Sequence, residues 1–145
     1  MILHTEIFGN GEPIVFLHTG LQTGLTDFEY QREYFQKNFK VILPDLRGHG
    51  NSKAEDFSNF FEDSASDLAE TLDYLKIEKA HIVGCSLGGL VGLFFAKKFP
   101  KRLLSLSLSG VSYEKPDNWL ELHKEDVKFQ SQLLQDKETV HFFNQ

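Results

Sequence analysis

The chain has 145 residues, with a hydrophobic fraction of 41% and a charged fraction of 25%. That is enough chain for one domain with a buried core, and the composition is that of a folded, soluble protein rather than a disordered one. A net charge of −6 with scattered Lys and Arg excludes the clustered basic surface that nucleic-acid binding needs. Cys85 is the single cysteine, so an intramolecular disulfide and a multi-cysteine metal site are both excluded. No apolar run is long enough for a bilayer and the N-terminus lacks a secretion signal, so no membrane partner and a cytoplasmic location are expected.

In chain order, Leu3 to Phe8 reads as a strand and Ile14 to Leu17 as a second. Between them Gly9-Asn10-Gly11 supplies residues that tolerate positive φ, which predicts a hairpin. Phe28 to Asn38 places Phe28, Tyr34 and Phe35 among charged residues and reads as a helix, and Val41 to Leu43 as a short buried strand stopped by Pro44. Phe61 to Leu75 is the clearest amphipathic helix. Phe61, Ala65, Leu68, Ala69, Leu72 and Leu75 share a stripe, with Glu62, Asp63, Asp67, Glu70 and Asp73 placed elsewhere.

His81 to Val83 is the next strand, and Leu87 to Phe99 the next helix, apolar nearly all round and therefore expected to be buried. The basic residues Lys97, Lys98, Lys101 and Arg102 cluster where that helix ends, as expected of side chains meeting exposed carbonyls and the negative end of the dipole. Leu103 to Leu108 is a further strand, Trp119 to Leu134 reads as helix, and a weaker helical tail starts at Glu138. Strands alternating with helices, most strands being short and apolar, predict an α/β fold: a mostly parallel sheet with helices on both faces. In such sheets ligands gather at the carboxyl ends of the strands. The segments beginning at His18, Asp45 and Gly84 all lie there.

The last of these reads Gly84-Cys85-Ser86-Leu87-Gly88-Gly89, between an apolar strand and an apolar helix. A serine on so sharp a turn is pushed above the sheet edge, and glycines flank it because a Cβ would collide with neighbouring backbone. The helix begins at the same point, so its free N–H groups, that of Leu87 among them, favour a developing oxyanion. Cys85 occupies the free position of the motif and reads as packing. A dinucleotide site would instead need Gly-x-Gly-x-x-Gly in the first strand–helix unit with an acid about twenty residues on. The glycine spacing here differs, and no acid follows.

Three segments, FLHTG (Phe16 to Gly20), DLRGHGNS (Asp45 to Ser52) and VGCSLGG (Val83 to Gly89), occur in the order found in the α/β-hydrolase family. The chain resembles the amino-terminal half of that family, over nearly its whole length. The resemblance implies that Ser86 is the nucleophile and that Leu87 gives one oxyanion-hole N–H. The second would come from the loop after His18. Family members usually read His-Gly-x there and this chain reads His18-Thr19-Gly20, which makes Gly20 the candidate donor. His18 is expected to shape that loop by hydrogen bonding. Asp45, Arg47, Gly48, Gly50 and Ser52 are expected to build a turn with locally paired side chains, and neither His49 nor His81 is placed as a base.

The reaction so implied is attack of Ser86 on an ester-like carbonyl of a small-molecule substrate through an acyl-enzyme, with no metal or organic cofactor required. In this family the acid and the histidine follow the serine, each after a later strand. Here Leu103–Leu108 leads into Ser109-Gly110-Val111-Ser112, and no later strand is predicted. Asp117, Glu121, His123 and His141 are the nominal acid and base candidates. The expected organisation is a hydrolase core over residues 1–113 and a helical segment resembling the start of a lid over 114–145, truncated after the sixth strand in the family's count. An uncovered sheet edge would then invite a second copy of the chain, predicting a homo-oligomer. The alternative is a catalytically inactive binding or scaffold protein of the same fold.

Overall fold

The computed structural model describes residues 1–112, 114, 117–125 and 128–129. They divide into two compact units, the first spanning Met1–Val111 and the second beginning at Ser112. The first unit holds the sheet: β1 (Thr5–Phe8), β2 (Glu12–Leu17), β3 (Phe39–Pro44), β4 (Ala80–Cys85) and β5 (Leu103–Ser109). Their spatial order is β1-β3-β2-β4-β5. All neighbours run parallel except β1, which is antiparallel to β3 with Thr5 opposite Pro44 and Phe8 opposite Val41.

The expected hairpin does not form, because β3 lies between β1 and β2. The Gly9–Gly11 connection passes over the start of β3 instead. A Cβ on Gly9 would overlap the carbonyl oxygens of Gln36 and Phe39, and one on Gly11 that of Asn38. Both glycines have positive φ, 76° and 119°. The residues that suggested a tight turn supply a close backbone crossing.

Alternation along β2 and β3 feeds two cores. Val15, Leu17 and Ile42 face α3 (Phe60–Tyr74) and α4 (Leu87–Lys98), joining Ala65, Leu68, Leu72, Val91 and Phe95 in one cluster. Ile14, Phe16, Val41 and Leu43 face the other way, onto Phe28 and Phe35. Phe28 joins the short helices α1 (Gly24–Asp27) and α2 (Glu29–Phe35), and Phe35 is the last residue of α2. Each fully buried side chain of this size contributes roughly 1.5–3 kcal/mol, so the central strands anchor the domain.

Three departures from the sequence reading bear on function. Helix α4 is buried along Gly88, Val91, Gly92 and Phe95, but Leu90, Leu93, Phe94 and Ala96 are half-buried, so it is not enclosed all round. Asp67, placed by its pattern among the solvated acids of α3, is 1% exposed. Strand β5 is covered far less than β2 or β3: Ser105, Ser107 and Ser109 on one face are exposed, while Leu106 and Leu108 on the other approach Gly92 of α4.

The basic cluster is shared out. Lys98 Nζ donates to Ser66 Oγ at 2.7 Å, while Arg102 donates to the carbonyls of Ile77 and Glu78 and pairs with Asp73. Lys97 and Lys98 lie in the last turn of α4. In the second unit, α5 (Trp119–Leu122) opens the predicted long helix, and helical backbone recurs at 124–125 and 128–129. Residues 130–145, with the predicted tail and His141, lie outside the described residues. Among the described residues no helix is long and apolar enough to cross a membrane.

Candidate active site

Ser86 sits where β4 hands over to α4, with φ 52° and ψ −114°. A non-glycine residue in the left-handed region costs about 1–3 kcal/mol and persists only where its surroundings enforce it. Those surroundings are visible. Ser86 N–H donates to Ser109 O at 2.9 Å, and its carbonyl accepts from Leu90 N–H at 3.1 Å. The motif's glycines permit the closeness: a Cβ on Gly84 would overlap Gly88 O, and one on Gly88 would overlap Leu17 O. The side chain of Ser86 is exposed. Ser109 and Gly110, which supply no acid, thus brace the turn: Gly110 has φ 65°, and a Cβ on it would stand 3.5 Å from Ser86 N.

Gly20 lies beside this turn, close enough that a Cβ on it would be 3.8 Å from Leu87 Cδ2. Its loop is held from several sides. Thr19 N–H donates to Asp27 Oδ2 at 2.7 Å, and His49 Nε2 stands 3.0 Å from Gly20 O. His18 is fully buried, with Nδ1 at 2.7 Å from Thr19 O and Nε2 accepting Leu46 N–H at 2.9 Å. A carbonyl accepts and an amide donates, so the network assigns the proton to Nδ1. Burial lowers the pKa of His18 below its ordinary value, outweighing the favourable bond to Thr19 O, and keeps the ring neutral. Both nitrogens are committed. His18 shapes the loop.

The turn after β3 is a second brace. Buried Asp45 accepts from Gly24 N–H at 2.9 Å and Asn51 N–H at 3.0 Å. Arg47, expected to pair within its own turn, instead reaches helix α3 and grips Asp67 through Nε at 2.8 Å and Nη2 at 2.9 Å. This fork is the positioning element that sequence reasoning missed. Its one signal was spacing: Asp67 shares a helical face with Ser64, Leu68 and Thr71, all buried.

Ser86, Leu87 and Gly20 are therefore brought together at the carboxyl ends of β2 and β4. Cys85 is half-buried against Phe16's side of the sheet, as packing would have it. Among the described residues of the first unit, no imidazole is hydrogen-bonded to Ser86. His81 stands five residues back along β4, about 16 Å at strand rise. Asp117, Glu121 and His123 lie in the second unit, and His141 lies outside the described residues. No group of three or more His, Cys, Asp or Glu suited to a metal ion occurs among the described residues.

The chain is similar to several known proteins. A human serine hydrolase, BPHL, is 34% identical over 115 residues, covering 76% of this chain and 40% of its own. The 3-oxoadipate enol-lactonase 2 of Acinetobacter baylyi is 35% identical over 101 residues, covering 69% of this chain and 38% of its own. The chain thus spans about two fifths of the length of these curated relatives. Among solved structures, a thermophilic esterase from Thermogutta terrifontis superposes with a TM-score of 0.74 at 29% identity, over 92% of this chain and 48% of that one. A marine microorganism esterase gives 0.74 at 27% identity, over 88% and 49%. A profile of the alpha/beta hydrolase fold matches residues 12–143. The chain belongs to the α/β-hydrolase-fold family.

Proposed function

We propose that the chain carries the nucleophile of a serine hydrolase that attacks the ester-like carbonyl of a small-molecule substrate. Ser86 Oγ forms the acyl-enzyme, and the N–H groups of Leu87 and Gly20 receive the oxyanion. The observation that carries this reading is Ser86 itself: exposed, at φ 52°, at the N-cap of α4 with Gly20 alongside. A backbone so constrained at an exposed hydroxyl is a construction for presenting it. The esterases and the serine hydrolase to which the chain is similar support the same chemistry. No cofactor enters it. A reducing, cytoplasmic setting is consistent with the single unpaired Cys85.

One observation favours a second reading, an inactive binding or scaffold protein. In the first unit His18, whose loop carries Gly20 beside the turn, has both nitrogens engaged and is held neutral. No imidazole of the first unit is hydrogen-bonded to Ser86, so this reading leaves the serine without a base there. Among the described residues β5 is an edge strand of the sheet, which supports a second copy of the chain as one source. A monomer with no concentration dependence in sedimentation would exclude that source.

Labelling with a fluorophosphonate, followed by peptide mass spectrometry with Ser86→Ala as control, separates the readings. An adduct on Ser86 means that a base reaches it. A folded protein with no Ser86 adduct is the binding or scaffold protein.

A further inference from the structure

At the opposite end of the same strands, three side chains join in one hydrogen-bond chain. Ser105 Oγ is 2.7 Å from His81 Nδ1, and His81 Nε2 is 2.5 Å from Glu12 Oε1. They come from three parallel strands. Sheet register puts Ser105 of β5 opposite His81 of β4, and His81 opposite Ile14 of β2, two residues past Glu12. A carboxylate only accepts, so Nε2 carries the ring proton, and Nδ1 is left as the acceptor for the serine hydroxyl. The order is nucleophile, base, orienting acid.

The ring is also fixed from the side, its plane edge-on to Phe39 with centroids 6.3 Å apart. His81 is 25% exposed and Glu12 56%, and Ser105 lies on the exposed face of β5. A solute can therefore reach the hydroxyl. Ser107, two residues on along the same exposed face and opposite Val83, has no imidazole across from it.

We propose that Ser105 is a second reactive serine, an acyl acceptor for small activated esters, with His81 as its base and Glu12 orienting the imidazole. The inference is independent of any role for Ser86. With an aryl ester, the Ser105 Oγ–H proton passes to His81 Nδ1 as Oγ bonds to the carbonyl carbon. The bond from that carbon to the aryloxy oxygen then breaks. The departing aryloxide takes the proton from Nδ1, leaving an acyl ester on Ser105, a free phenol and a neutral imidazole. Nothing beyond the ester and these three side chains enters the balance.

The test uses p-nitrophenyl acetate on the full chain carrying Ser86→Ala, reading p-nitrophenolate release and the acylated peptide by mass spectrometry. The expected result is one equivalent of release with acetyl on Ser105 and none on Ser107. His81→Gln should slow it about a hundredfold, the scale of a lost general base, and Glu12→Gln several-fold. Circular dichroism confirms that each variant folds. Equal acetylation of Ser105 and Ser107, an unchanged rate in His81→Gln, acetyl held on His81 instead, or no Ser105 adduct would each overturn the proposal. Ser86 labelling is read on a different peptide in the unsubstituted chain, so either conclusion can fail alone.

Discussion

Ser86, at the carboxyl end of β4, and Ser105, beside its amino end, divide between them what a nucleophile requires. Ser86 has placement: a positive-φ turn, a helix N-terminus and a braced loop beside it. Ser105 has a proton acceptor in hydrogen-bond contact and an acid behind it, on ordinary strand backbone. Presentation of a hydroxyl and removal of its proton are thus separable in structure. They are also built from different materials. The carboxyl end uses buried backbone approaches and buried polar groups, and the amino end uses side chains laid across a half-open sheet face.

The largest effect that would test this contrast is Gly88→Ala. Its Cβ would meet the backbone oxygen of Leu17, which cannot rotate away as a side chain can. A stability loss of about 3 kcal/mol is expected by urea unfolding, at the upper end for overpacking. Ser107→Ala on the open face of β5 should stay within about 0.5 kcal/mol. Similar small losses at both positions would mean that the turn yields easily and that the two ends do not differ in rigidity.

Histidine gives a second contrast, between buried His18 and half-exposed His81. Burial depresses the pKa of His18 below its ordinary 6.5, outweighing the opposing hydrogen bond to Thr19 O, and nearby His49 adds to the depression while Asp45 and Asp27 oppose it. The sign follows from linkage. Above pH 6.5 His18 is neutral folded and unfolded, and contributes no slope. As pH falls below 6.5 the unfolded chain binds a proton that the folded chain resists, so stability is lost progressively until the lower folded pKa is passed. His18→Leu should flatten that decline. It should also cost about 2 kcal/mol at neutral pH, because Leu46 N–H loses its buried acceptor. An unaltered acid limb in the variant would mean that other groups set the pH dependence.

The same division explains what could be read from the residues alone. Patterns confined to one segment were legible: the strands, the stripe of α3, and the Gly-x-Ser-x-Gly turn all follow from neighbours within a few positions. The pairing of β1 was not. Gly9-Asn10-Gly11 fits a hairpin and a crossing equally well, and only the insertion of β3 between the strands decides. Arg47–Asp67 and Glu12–His81–Ser105 were hidden for the same reason, since each depends on how distant segments are laid side by side. Asp67 also shows a limit of amphipathic reading. An acid counted with the solvated face is buried when a guanidinium from another turn arrives to meet it.

The finest test of the comparison is one substitution made at both serines. At Ser86 the backbone holds φ 52°, which glycine adopts without penalty. Ser86→Gly should raise stability by about 1 kcal/mol while removing the hydroxyl, since the strain of a positive φ is released when glycine takes the position. At Ser105 the strand backbone suits any residue, and glycine adds disorder to the unfolded chain and removes an exposed hydrogen bond to His81 Nδ1. Ser105→Gly should lower stability by about 0.5–1 kcal/mol. Opposite signs for an identical change of side chain would separate a serine the fold strains to present from one the sheet merely carries. If Ser86→Gly also lost stability, the packing of the Ser86 side chain would outweigh its backbone strain, and the turn would be a place where serine fits rather than one where it is held out.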